Sequence, residues 1–268
     1  MKKYLLIIVL FAFSFSSFGQ KRMLGDMVKN YQYVDLKTVN FGFTVGLNFL
    51  DNEMWHKQYR SKTNELYFGE VVKANYGFSI GGIAQFKINK YWSLRFNPTL
   101  LMGKTTVSFN NILPGAKYIT SADQKVPDEY KMNPRDVDIS SISFNFPILF
   151  KLTSERFGNY RPFMLGGFSF NYDIASEKVI NVDQDIFLRK KPMDLCLELG
   201  LGVAFYLPFC KLSTELRLSL GLIDILDHNI TDKNRKDIKA SSVPKAAMYT
   251  DNIDRMTSKV FSILIHFE

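Results

Sequence analysis

Residues 40–49, NFGFTVGLNF, alternate strictly between large apolar residues and small or polar ones. The apolar positions are Phe41, Phe43, Val45, Leu47 and Phe49, and the positions between them are Gly42, Thr44, Gly46 and Asn48. A repeat of two residues is typical of a β-strand, because successive side chains of a strand point to opposite faces. The segment therefore predicts a strand with one apolar face and one face of small, uncharged side chains.

Seven further segments repeat this alternation, so the sequence predicts eight strands in all. They lie at about 76–86, 92–102, 142–152, 161–173, 194–207, 212–222 and 258–267. The connections after the second, fourth and sixth strands are short. The other four, at about 50–73, 104–137, 175–192 and 225–257, are long, polar and charged. Short periplasmic turns, long extracellular loops and an even strand number are typical of outer-membrane β-barrels.

The second face of the strands distinguishes two kinds of barrel. It is mostly Gly, Ser, Asn and Thr, which suit the narrow lumen of an eight-stranded barrel. Lipid offers no partner for backbone N–H and C=O groups, so strands cross a membrane only as a closed sheet with apolar side chains outward. We therefore predict an all-β fold, an eight-stranded antiparallel up-and-down transmembrane β-barrel. A soluble periplasmic barrel of lipocalin type is the alternative.

The start of the 268-residue chain has the pattern of a secretory signal peptide. Lys2 and Lys3 precede an apolar run at 4–15, and small residues lead to Gly19. We expect cleavage after Gly19, since the apolar run is shorter than the ~20 residues that a membrane-spanning helix needs. The predicted domains are a signal peptide at 1–19, a short periplasmic segment at 20–37 and a barrel at 38–268, located in the cell outer membrane.

The last predicted strand carries apolar residues at alternate positions up to the end of the sequence. This pattern resembles the C-terminal strand signature that the outer-membrane barrel assembly machinery reads, and it consists of Phe261, Ile263, Ile265 and Phe267. We therefore expect the assembly machinery and outer-membrane lipids as partners. Near the short turns, Tyr91, Trp92 and Tyr206 form the predicted periplasmic aromatic girdle.

Charged residues also fall on the predicted lumen face. They are Arg95, Glu198, Glu215 and Arg217. Charges in a barrel interior of low dielectric must be paired, and Arg with Glu can form bidentate ion pairs. We expect an ion-pair network that stiffens a filled lumen. A gated ion path through the same side chains is the alternative.

Little in the sequence supports catalysis. It has only 3 His and none of the common motifs of metal, nucleotide or serine-nucleophile sites. Ser262 and His266 share a strand face but are four residues apart, which is about 13 Å along a strand and too far for a nucleophile and its base. We predict no enzyme activity, no catalytic residue, no metal and no cofactor.

The two cysteines and the positive charge point to no further ligand. Cys196 and Cys210 flank one predicted strand, about 45 Å apart, so we expect free thiols. The net charge of +8 is spread over loops, without a basic helix or a stacking platform. It predicts attraction to acidic lipid groups and no nucleic-acid binding.

Several segments resemble the Bacteroidota outer-membrane β-barrel family that includes PorT, a component of the type IX secretion system. They are NFGFTVGLNF at 40–49, ISFNFPILFKL at 142–152, RPFMLGGFSFNYD at 161–173 and LELGLGVAFYLPFCKLSTELRLSLGL at 197–222. DLKTVNFGFTVGLNF at 35–49 is similar to the PorT start. The resemblance implies a role in secreting proteins with a type IX C-terminal signal and in gliding motility, and it implies no catalytic residue.

The expected size of the barrel limits that role. An eight-stranded lumen is filled by its own side chains, so this chain alone cannot conduct a folded protein. The sequence therefore predicts an accessory or assembly subunit that contacts other secretion-system subunits through its loops or its periplasmic segment. The alternative is a structural or ligand-binding outer-membrane barrel with no role in secretion.

Overall fold

A computed structural model gives the architecture and describes residues 30, 37–56, 66–112, 131–175, 190–227 and 253–268. The strands are β1 (Val39–His56), β2 (Leu66–Ala74), β3 (Tyr76–Lys87), β4 (Trp92–Phe96), β5 (Thr99–Ile112), β6 (Lys131–Thr153), β7 (Tyr160–Asp173), β8 (Met193–Tyr206), β9 (Lys211–Gly221) and β10 (Ile253–Phe267). The predicted signal peptide and nearly all of the predicted periplasmic segment lie outside the described residues. Within those ranges, no helix is long and apolar enough to span a membrane.

The strand segments form one antiparallel sheet that closes on itself. Only Asn75 separates β2 from β3, and only Asn97 and Pro98 separate β4 from β5, so each of these pairs is one strand with a local break. Pro98 accounts for the second break, because proline has no N–H to give to a ladder. β1 pairs with β10 on one side and with β3 on the other. The predicted ring of eight antiparallel strands is therefore confirmed.

The two ends of the barrel differ in their connections. The short connections from β3 to β4, from β6 to β7 and from β8 to β9 all lie at one end, which we call the turn end. The start of β1 lies there too, where the N–H of Lys87 donates to the carbonyl of Thr38 at 2.8 Å. The opposite end, reached by the long connections, is the loop end.

The outer surface of the ring carries a continuous belt of large apolar side chains. Many of them are more than half exposed, including Phe41, Phe78, Ile148, Phe168 and Leu201. Soluble monomers rarely expose so extensive an apolar surface. The belt is the surface that a barrel presents to lipid, where outward apolar side chains meet acyl chains.

The inside of the ring is closely packed, with polar side chains along most of its length. A small apolar cluster lies near the turn end, where Phe163 and Leu165 of β7 pack against Leu149 of β6. Gly202 of β8 makes room for it, since a Cβ at Gly202 would lie 2.4 Å from the Phe163 ring. The small residues of β8 therefore serve to admit larger side chains from the neighbouring strand.

The strands continue beyond the predicted loop boundaries at the loop end. β1 extends to His56, β2 starts at Leu66, β5 extends to Ile112, β6 starts at Lys131 and β10 starts at Ile253. The loops are therefore shorter than the predicted ranges 50–73, 104–137 and 225–257. The connection between β7 and β8 runs from 174 to 192.

In these extensions the outer face is polar and the inner face is apolar, the reverse of the arrangement in the rest of the strands. The alternation used to predict the strands therefore did not include them. Glu53, Lys104 and Lys259 are exposed on the outer face, whereas a buried apolar cluster occupies the inside. Its members are Met54, Val107, Ile225, Leu226, Ile253 and Met256. Beyond the lipid the outside of a strand meets water, so the apolar side chains are stabilised by turning inward.

We predict that a lysine in the middle of the apolar belt destabilises the barrel far more than one at its border. Phe168→Lys, on the outer face of β7, should lower the free energy of unfolding by about 2–4 kcal/mol. Met193→Lys, near the loop end of the adjacent β8, should lower it by only about 0–1 kcal/mol. The two positions are matched, since Phe168 is 57% and Met193 is 56% exposed. Denaturant titration in lipid vesicles measures both, and equal effects would contradict a lipid-facing belt.

Candidate functional site

The centre of the lumen is an ion cluster built around Glu215 of β9. Its Oε2 accepts a hydrogen bond from Nη1 of Arg95 at 2.9 Å, and its Oε1 lies 2.6 Å from Nη2 of Arg217. The Nε2 of His266 lies 2.9 Å from the same Oε2. The side chains of Glu215, Arg95 and His266 are fully buried. One carboxylate therefore joins β4, β9 and β10 across the lumen.

A second carboxylate extends the cluster toward the turn end. Glu268 accepts a hydrogen bond from Nη2 of Arg95 at 3.0 Å and also pairs with Lys211. Gln85 lies beside them, and its Oε1 accepts from Nη2 of Arg95 at 2.9 Å and from Nζ of Lys151 at 3.3 Å. These contacts tie the last residue of the sequence into the filled lumen.

Hydrogen bonds continue the cluster through uncharged groups. The Nδ1 of His266 lies 2.9 Å from Oγ1 of Thr44, which also accepts from Nδ2 of Asn97 at 3.0 Å. The Oδ1 of Asn97 accepts in turn from Nη2 of Arg217 at 3.0 Å. Thr44, His266 and Glu215 thus form a hydroxyl–imidazole–carboxylate chain. Each member is buried and Glu215 is already bound by two guanidinium groups, so the chain serves packing within the lumen.

The structure brings three of the four predicted lumen charges into direct contact and places the fourth apart. Arg95, Glu215 and Arg217 meet, whereas Oε2 of Glu198 is 4.0 Å from Nε of Arg217. The Oε1 of Glu198 accepts from Ser169 at 2.6 Å and from Ser219 at 2.9 Å. Glu198 is therefore held mainly by hydroxyl groups.

Several polar members of the cluster are absent from the predicted network, and four of them are in direct contact with its charged groups or with each other. They are Gln85, Lys151, His266 and Glu268. Gln85, Lys151 and His266 lie on the strand faces that the two-residue alternation assigns to the lumen. The alternation alone was therefore sufficient to predict that these side chains point inward. Glu268 continues the parity of His266 one step past β10. Their hydrogen-bonding partners could not be predicted from the sequence. The alternation shows whether a side chain points inward or outward, but it does not show which residues of other strands lie at the same height in the barrel.

The predicted aromatic girdle needs one correction. Tyr91 and Trp92 are exposed at the turn end, but Tyr206 is only 2% exposed. Tyr206 shares its strand parity with Glu198 and Ala204, both of which face the lumen, so its ring points inward. The guanidinium carbon of Arg156 lies 3.8 Å from the centroid of that ring. Tyr206 therefore closes the turn end of the lumen from inside.

The predicted assembly-signal residues lie along the seam between the last and first strands. Phe261, Ile263 and Ile265 are exposed on the outer face, and the ring of Phe267 stacks on that of Phe43 with centroids 4.7 Å apart. β10 and β1 pair over this whole stretch. These residues therefore cover the closing seam with apolar surface.

The described residues hold no preformed metal centre or disulfide. No group of three or more His, Cys, Asp or Glu side chains among them could hold a metal ion. Cys196 and Cys210 are both free thiols. Cys196 is buried near the loop end, where its Sγ donates to Oδ2 of Asp194 at 3.3 Å and accepts from Nδ2 of Asn171 at 3.0 Å.

Comparison with known proteins gives a family and a distant structural likeness. A family model described as "Outer membrane protein beta-barrel domain" matches residues 18–227. The crystal structure of the outer membrane protein OprG from Pseudomonas aeruginosa aligns with a TM-score of 0.39 and 7% identity, covering 85% of this chain and 92% of that chain. No curated protein matches the chain.

We predict that removing the central carboxylate strongly destabilises the barrel. Glu215→Gln leaves two buried guanidinium groups without their shared counter-charge, and breaking a buried pair in this way costs about 3–5 kcal/mol. Glu155→Gln is the control, because its ion pair with Lys90 is exposed and should contribute little. Unfolding in lipid vesicles and heat-modifiable gel migration measure both variants. Similar stability of Glu215→Gln and the original chain would contradict the role of the cluster.

Proposed function

The chain belongs to the family of proteins with an outer membrane protein beta-barrel domain, and from this premise we propose that it is an accessory or assembly subunit of the type IX protein secretion and gliding machinery. In this role it has no enzyme activity and is not the translocation pore. Its partners are outer-membrane lipids, the barrel assembly machinery and other secretion-system subunits. The filled lumen is the observation that carries the accessory role.

The filling of the lumen argues for a scaffold. At the level of Glu215, side chains from β1, β4, β9 and β10 meet through direct hydrogen bonds. Toward the loop end, Asn145 donates to Asn171 at 2.6 Å, and an apolar cluster around Met54 and Met256 follows. An exported protein has no route through such an interior. A secretion role must therefore lie on the outside of the barrel or at its ends.

Support for type IX secretion comes from the sequence. The segments at 40–49, 142–152, 161–173 and 197–222 resemble the PorT-containing family. The first three lie in β1, β6 and β7, and the fourth covers most of β8, the turn after it and β9. The resemblance thus follows the lipid-facing and lumen-facing pattern of the fold. Specific contacts with other subunits would be made by the loops and the segment before β1.

The turn end offers one defined place where the segment before β1 contacts the barrel. The N–H of Asn30 donates to Oδ1 of Asn159 at 3.0 Å, and its carbonyl accepts from Nη2 of Arg156. Both partners lie in the turn between β6 and β7. Asn30 is thereby held against the periplasmic end of the barrel, where a subunit of the machinery would bind.

A structural or ligand-binding barrel with no role in secretion is the second candidate. The same filled lumen favours it, because a rigid barrel that carries loops needs no partner in a secretion system. The two candidates agree on the barrel and differ only in what happens to secreted proteins when the chain is missing.

We predict that the purified barrel shows no large stable conductance steps in planar lipid bilayers, because its lumen holds a buried ion cluster. A large-lumen porin reconstituted in parallel shows that the assay detects open channels. Large, stable steps from this chain would overturn the accessory role and support a pore.

We predict that deletion of the gene retains proteins bearing a type IX C-terminal signal inside the cell and removes them from the medium. Expression of the original chain from a plasmid should restore secretion. The measurement is the amount of such proteins in cells and in medium. Normal secretion in the deletion strain would support the second candidate, while leaving the barrel fold untouched.

A further inference from the structure

At the turn end the lumen opens into a basic recess that we call the vestibule. Its wall includes Lys87, Lys90, Lys151, Arg161 and Lys211, and its volume is about 30 Å³. Neither Asp nor Glu is found among the described residues that line it. By the short-turn rule for outer-membrane barrels, this recess faces the periplasm.

Lys151 forms the floor of the vestibule and is buried without a counter-charge. The residue is 1% exposed, and its Nζ lies 3.3 Å from Oε1 of Gln85 and 3.9 Å from the centroid of the Phe163 ring. No carboxylate of the described residues forms an ion pair with it. An ammonium group has three donors, and burying it without a partner charge carries a large desolvation cost.

Glu268, the carboxylate that pairs with the neighbouring Lys211, already binds two cations. Glu268 binds both Lys211 and Arg95, so it offsets two cations at once. The Oε1 of Gln85 is likewise shared between Lys151 and Arg95. Glu268 is therefore shared by two other cations close to Lys151, and one more anion would stabilise this group of charges.

The rim of the vestibule is held in a fixed arrangement. Arg161 donates from Nε to the carbonyl of Ser154 and from Nη2 to the carbonyl of Lys90, each at 2.7 Å. Lys90 contacts Glu155 at 3.1 Å, and this hydrogen bond raises the pKa of Lys90, so the ammonium stays charged at neutral pH. The rim thus presents cations that are positioned before any ligand arrives.

We infer that the vestibule is an anion-binding site that takes a phosphate group, with Lys151 at its floor and Arg161 and Lys87 at its rim. One water molecule needs roughly 10–15 Å³ of such volume, so the recess admits only a small group, such as one phosphate whose outer oxygens remain at the open rim. Lysine is a common phosphate ligand as a point charge, and cations around an open recess suit an oxyanion with several oxygens. The phosphate could be free in the periplasm or belong to the headgroup of an inner-leaflet phospholipid.

The test is a titration of the purified full-length barrel, folded in an uncharged detergent, with inorganic phosphate at constant ionic strength. Isothermal calorimetry should show saturable binding to one site. Lys151→Met should weaken it at least tenfold, because the floor cation is lost. Lys259→Met, which removes an exposed lysine at the opposite end, should leave it unchanged.

A second arm separates the two sources of phosphate. The same proteins are titrated with a short-chain phosphatidylglycerol; binding of inorganic phosphate indicates a soluble anion, and binding of the lipid alone indicates a headgroup. Either result supports the site if Lys151→Met abolishes it.

Arg161→Gln, at the rim, should weaken binding several-fold and keeps the test valid if Lys151→Met does not fold. The absence of saturable binding in both arms, or full binding by a folded Lys151→Met or Arg161→Gln variant, would overturn the proposal.

Discussion

The narrow lumen of an eight-stranded ring is the constraint on which the rest of this structure depends. The lumen has room for side chains and little else, so the charged groups that point inward are stabilised by partners on other strands. Glu215 accordingly binds Arg95, Arg217 and His266, and Glu268 binds Arg95 and Lys211. The same shortage of space requires glycine at position 202, opposite the ring of Phe163.

In this narrow lumen the carboxylates of Glu215 and Glu268 are each shared between two or more cations, and this sharing affects the stability of the fold. Buried ions are destabilising unless their charge and their hydrogen-bonding groups are both satisfied. Here a small number of carboxylates serves a larger number of cations, and neutral groups such as Gln85 and Asn97 supply the remaining acceptors. This arrangement holds strands that are far apart in the sequence, such as β4 and β9, in one relative position.

The sequence predicts the strands well because lipid imposes a strict two-residue repeat on them. The repeat at 40–49 is enough to assign Phe41 to the outside and Thr44 to the lumen, and both assignments hold. The two failures have different causes. Tyr206 lies close to a turn, but the alternation along β8 places it on the lumen face, whereas the strand extensions at the loop end have their apolar side chains on the opposite face from the rest of the strand. Partners such as Arg95 and Glu215 depend on the stagger of the ring, which a single sequence does not reveal.

The exchange of faces at the loop end means that the barrel is taller than the membrane. On β10, the stretch from Lys259 back to Ile253 contains seven residues, and its six steps of about 3.3 Å give roughly 20 Å of strand. This part is built like a water-soluble barrel, with methionine and isoleucine side chains inside. It forms a rigid collar on which the long loops are mounted, so their anchor points keep fixed spacings above the lipid surface whatever the loops themselves do.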